Sequence, residues 1–143
     1  MYVGQLKVGE NGTPMQVKVD TTTHMVILAA SSCEECYNNA NAERLDMRES
    51  VDAGTGYIRD GAALMRYDNS TMQGLDAEDR VCVGLTCMND QPIFVVDQEL
   101  DWTSQVMQRP INGVFGLARP HKVALLDKYV GNDYVLEHSS LWT

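Results

Sequence analysis

Residues 17–29 read "VKVDTTTHMVILA". Met15, Val17 and Val19 alternate with polar residues and end at Asp20, the pattern of a strand buried on one face. Three threonines follow. The run "HMVILAA", residues 24–30, is then continuously apolar, the pattern of a strand buried on both faces. A carboxylate between two such strands is costly to bury unless it is paired or hydrogen-bonded. Asp20 is therefore either a strand-end turn former, bonding its own backbone, or a group held in place for chemistry.

Working outward, "YVGQLKVG" also alternates, and the turn-rich "GENGTP" joins it to "MQVKVD" as a hairpin. "CEECYNNANAERLDMRES" is polar and has room for a helical turn. "GYIRDGAALMRYDNSTMQG" reads as a hairpin around "RDG", with "LMRY" returning. "DRVCVGLTC" and "PIFVVDQ" read as strands, and "INGVFGLA" as a short strand ending in a glycine turn. "HKVALLDKYV" predicts an amphipathic helix with Val123, Leu126 and Val130 on one side. Many short strands separated by turn signals predict an all-β sandwich or barrel with one or two short helices. At 143 residues the chain is expected to be a single domain, 1–143, with no internal repeat.

The net charge of −9 argues against a nucleic-acid partner, because phosphates attract basic surfaces. No apolar run approaches the roughly 20 residues of a membrane helix. The four cysteines fall in two local pairs. A four-sulfur zinc site is one reading. Two short disulfide loops, Cys33–Cys36 and Cys82–Cys87, fit better, since "VCVGLT" reads as strand and not as a metal knuckle. Disulfides favour an oxidising compartment. The sequons "NGT" at Asn11 and "NST" at Asn69 point the same way. The opening "MYVGQLKV" is already strand-like, so a secreted protein is expected here in mature or trimmed form.

The order of these features resembles the N-terminal lobe of a pepsin-like aspartic protease. "YVGQLKVGENGTPMQVKVDTTT" is similar to that family's opening hairpin and its strand ending in Asp-Thr-Gly-Ser/Thr. "SSCEEC" sits where the family has a small disulfide loop. "YIRDGAALMRYDNSTM" resembles the flap hairpin, and "INGVFGLA" the "DGILGLA" strand that supports the catalytic loop. The resemblance implies an acid-protease β-barrel lobe in which Asp20 is one of two catalytic aspartates. Thr21 is expected to bond across to the other lobe's loop, and Thr23 to bond the catalytic carboxylate. Tyr57 takes the place of the flap tyrosine, with Asp60 and Gly61 at the flap tip. Asn112 and Gly113 support the loop. The resemblance implies no cofactor and no metal. It implies a peptide or protein substrate and a secreted, endolysosomal or vacuolar location.

Three positions depart from the family pattern. Thr22 replaces the motif glycine and is expected to crowd the loop, because a β-branched residue adds bulk where the backbone turns tightly. Ile27 stands where the family has a tryptophan, and Asn112 where it has an aspartate. His24 has no nucleophile–base partner in the pattern and is expected to be structural. No second Asp-Thr/Ser-Gly loop occurs: Asp97, Asp101, Asp127 and Asp133 lack its flanking residues. The second aspartate is thus expected from a second lobe or chain, absent here, or from a symmetric homodimer. Two function classes stand side by side: a lobe of an aspartic endopeptidase, and a catalytically impaired relative acting as a binding module.

Overall fold

The first two strands, β1 (Tyr2–Val8) and β2 (Thr13–Asp20), form the expected hairpin, in register from Tyr2 opposite Val19 to Val8 opposite Thr13. In the computed structural model, residues 2–33, 36, 45–67, 70–99, 111–118, 122–126 and 133–137 are described. The β1–β2 turn uses glycines with positive φ, Gly9 at 83° and Gly12 at 63°, where a side chain would be strained. The strand β3 (Val26–Ala29) is buried along its whole length. A short helix, α1 (Met47–Ala53), starts where the Asp46 carboxylate accepts from the Arg48 amide and stops at Gly54, which is left-handed at φ 85°.

Four longer or later strands complete the main sheet: β4 (Tyr57–Tyr67), β5 (Ser70–Val83), β6 (Thr86–Glu99) and β7 (Gly113–Gly116). The order is β1-β2-β7-β3-β6-β5-β4, and a further pairing of β1 with β5 closes six of these strands into a barrel. Closure removes sheet edges that would otherwise invite aggregation. The fold class is the all-β barrel that the turn pattern predicts.

Two apolar clusters hold the barrel. Leu6, Val8, Met15, Val17, Val26, Leu28, Val81, Ile93 and Val95 fill its interior. Met25, Ile27, Met65, Tyr67, Met72, Phe94, Val96 and Val114 pack outside the wall, where the β4–β5 hairpin folds over β3, β6 and β7. Successive residues of β3 thus feed opposite clusters, which is why its sequence is continuously apolar rather than alternating.

The structure corrects three sequence expectations. The hairpin does not turn at "RDG". The β4 strand runs straight through it, and the β4–β5 pairing continues to Tyr67 opposite Ser70. Arg59 to Ala62 instead carry two register irregularities, between Ile58 and Asp60 and between Asp60 and Ala63. Asp60 makes its turn-like bond locally, accepting from the Ala62 amide at 3.0 Å. A turn signal has become a β-bulge because Ala63, Leu64 and Met65 beyond it are needed in the core.

"VCVGLT", read as one strand, holds a tight turn. Val83 pairs with Thr86 around Gly84, whose φ is 58°. Lastly, the helix expected over residues 121–130 is not formed at its centre. Lys122–Leu126 is a strand, β8, paired antiparallel with β9 (Asp133–Glu137) from Lys122 opposite Glu137 to Leu126 opposite Asp133. Residues 127–130 lie outside the described residues. A "DYVLE" partner of strong strand formers outweighs the weak helical preference of "KVALL".

Candidate active site

Asp20 ends β2 and lies on its outward face with Lys18, while Met15 and Val17 point into the barrel. The loop after it is fixed from beneath by β7, which runs between β2 and β3. The Asn112 amide donates to the Gln16 carbonyl at 2.9 Å, and the Ala29 amide to the Asn112 carbonyl at 2.9 Å. At the other end, the Leu117 amide donates to the Asp20 carbonyl at 2.9 Å, the Gly116 amide to Met25 at 2.8 Å and the Ala118 amide to Thr23 at 2.9 Å. Both ends of the Asp20 loop are therefore tied to one strand.

That approach requires glycine. A Cβ on Gly116 would lie 2.5 Å from the Thr23 and Met25 carbonyl oxygens. A Cβ on Gly113 would lie 2.9 Å from the Ile27 carbonyl oxygen and from the Val17 side chain. Gly113 and Asn112 are buried. Gly116 was the missed member, visible only as the second glycine of "NGVFG".

Within the loop, the Thr22 amide donates to Asp20 Oδ1 at 2.7 Å, and the Thr22 hydroxyl to the same oxygen at 2.6 Å. The carboxylate bond expected of Thr23 is thus made by Thr22. Thr23 is buried, and its hydroxyl accepts instead from the Met25 amide at 3.2 Å. Among the described non-glycine residues only Asp90 has a positive φ, so threonine at position 22 carries no left-handed backbone strain. Its hydroxyl turns onto Asp20. Thr21 is exposed beside it, and His24 is fully buried beneath.

The other carboxylate oxygen belongs to the hairpin. The Tyr67 hydroxyl donates to Asp20 Oδ2. Tyr67 is the last residue of β4 and therefore stands at the hairpin tip. Tyr57 lies at the far end of the same strand, 63 % exposed, and does not reach the site. Asp60 and Gly61 sit in the bulged middle of β4, away from the tip. The signal for the right tyrosine was in the sequence: "RYDNST" carries both a tyrosine and the turn residues. Lys18 was the other omission. Its Nζ is 3.9 Å from Asp20 Oδ2 and 5.6 Å from the centre of the Tyr67 ring.

Burial opposes ionisation of Asp20. The hydroxyl bonds of Thr22 and Tyr67, the Thr22 amide and the Lys18 charge together outweigh it and hold the carboxyl below its ordinary value.

With that geometry in place, the sequence also matches a known family across most of its length: the model for eukaryotic aspartyl proteases covers residues 1–136. The chain belongs to the eukaryotic aspartyl protease family. No curated protein matches its sequence.

As an aspartyl protease domain it has two disulfides, Cys33–Cys36 and Cys82–Cys87, with Cα–Cα distances of 5.4 and 4.0 Å. These consume the four sulfurs that a zinc site would have used. The second closes the β5–β6 hairpin one pair behind its turn. Asn11 is exposed in the β1–β2 turn, an accessible place for a sequon, whereas Asn69 lies outside the described residues. No helix among the described residues is long and apolar enough to cross a membrane.

Proposed function

We propose that this chain is the lobe of an aspartic endopeptidase that supplies one catalytic aspartate, Asp20, with a second aspartate facing it from another lobe or chain. Two carboxylates a few ångströms apart cannot both ionise easily, so the pair holds one proton. The ionised member takes a proton from a bound water as its oxygen attacks the peptide carbonyl carbon. The shared proton moves to the carbonyl oxygen. Collapse of the tetrahedral intermediate then breaks the C–N bond, and the departing nitrogen takes up a proton.

The observation that carries this reading is the way Asp20 is held. Its inner oxygen takes two bonds from Thr22, its loop is tied at both ends to β7, and the hairpin residue Tyr67 covers its outer oxygen. Such a fixed, covered carboxylate suits positioned chemistry better than a simple turn. Thr22 takes the orienting role, Thr21 faces the missing partner, and Asn112, Gly113 and Gly116 support the loop. The partner is a second lobe or, alternatively, a symmetric copy. The substrate is a peptide or protein, and the disulfides fit a secreted, endolysosomal or vacuolar setting.

The binding-module reading keeps one observation in its favour. Both oxygens of Asp20 are already bonded by this chain's own groups, so a catalytic water competes with them for the carboxylate. A fluorogenic peptide assay at acidic pH on the completed protein, with Asp20→Asn as the blank, separates the two. Cleavage that vanishes in Asp20→Asn is the expected result. Peptide binding without cleavage in the unsubstituted protein would establish the binding module instead.

A further inference from the structure

Lys18 is the one cation beside Asp20 among the described residues, and its placement bears on which peptides fit. Period-two alternation along β2 sets it on the same outward face as Asp20. Its ammonium lies 3.9 Å from Asp20 Oδ2 and 5.6 Å from the Tyr67 ring centre, so it stands beside the contact that the hairpin tip makes with the carboxylate. A peptide presented to Asp20 therefore lies beside Lys18.

At 3.9 Å the contact with Asp20 is ionic rather than a hydrogen bond, which needs about 3.2 Å or less. The ammonium's three donors are not consumed by that carboxylate. Its side chain is about one-third exposed, at 30 %, so the charge is sheltered but reachable. A sheltered cation attracts a carboxylate more strongly than a fully solvated one and repels a second cation. The Tyr67 ring beneath it steadies its position.

We propose that Lys18 is a specificity-determining residue of this site, selecting peptides with an acidic side chain next to the bond presented to Asp20 and rejecting basic ones. This rests on the reading of Asp20 as a peptide-facing aspartate but does not require turnover.

The test uses the completed protein carrying Asp20→Asn, so that peptides bind without being cut. Three fluorescent heptapeptides differ only at the central residue: Glu, Leu or Lys. The Glu peptide is expected to bind about tenfold more tightly than the Leu peptide, the size of one well-placed charge contact. The Lys peptide is expected to bind weakest. Lys18→Met should erase the Glu preference, and Lys18→Arg should keep it. Equal affinities for Glu and Leu peptides, or a preference unchanged in Lys18→Met, would overturn the proposal. The same peptides are offered to the unsubstituted protein. A Lys18-dependent Glu preference in binding, with no cleavage there, would sink the endopeptidase reading and leave this one standing.

Discussion

Thr22 decides how Asp20 behaves. Its hydroxyl and amide share Asp20 Oδ1, so the residue that breaks the family's glycine pattern also supplies the carboxylate's nearest donors. Thr22→Gly keeps the amide bond and loses the hydroxyl. Peptidase activity of the completed protein is expected to fall about tenfold, since a hydrogen bond to a charged group is worth about 1.5–3 kcal/mol and this one is partly solvated. Thr22→Ser should retain activity. A gain in Thr22→Gly would show that the methyl and hydroxyl obstruct substrate, as the bare sequence suggests. Acid stability belongs to the same contacts. Asp20 is held below its ordinary value near 3.8, so its network stabilises the fold fully above that pH and is lost as pH falls through the lower folded value. Urea midpoints of the 143-residue chain should therefore drop below about pH 4 more steeply than those of Asp20→Asn. Parallel decline in both would refute the assignment.

Among the elements, β7 and the β4–β5 hairpin build the site and depend on glycines. A Cβ at Gly116 would meet two carbonyl oxygens at 2.5 Å, and one at Gly74 would meet the Val95 carbonyl oxygen closer still. Backbone atoms cannot give way as side chains do. Gly116→Ala should cost about 3 kcal/mol or more in thermal or urea unfolding, and should remove activity even in protein that still folds. Gly61→Ala is the control: its Cβ would meet nothing within 4 Å, and the residue is remote from the tip, so little change is expected. The Cys82–Cys87 bridge closes a hairpin already held by its ladder. Replacing both cysteines by serine should cost near the lower end of the 2–4 kcal/mol typical of disulfides, about 2 kcal/mol by denaturant titration.

For the whole molecule, the chemistry sets the assembly. A lone aspartate has no second carboxyl with which to share a proton, so the 143-residue chain in dilute solution should cleave no peptide. A polypeptide bringing a second aspartate should restore cleavage. Specific activity that instead rises with the concentration of this chain alone would identify the symmetric dimer.

The period of the apolar residues by itself determined the class of fold. Alternation before Asp20 and a continuous run after it fixed β1, β2 and β3, because burial on one face or two writes directly into local sequence. The close cysteine pairs likewise forecast their bridges. What only the tertiary structure decided was which residues meet across long separations. Tyr67 rather than Tyr57 reaches Asp20, because the hairpin turns past a bulge that a local turn signal imitates. Thr22 rather than Thr23 bonds the carboxylate, because the Ala118 amide, two residues beyond β7, holds the Thr23 carbonyl and the Thr23 side chain is buried. The strand at Lys122–Leu126 needed a partner segment to outweigh its helical pattern. Local patterns record burial, whereas pairing partners and side-chain reach depend on packing between segments far apart in the chain.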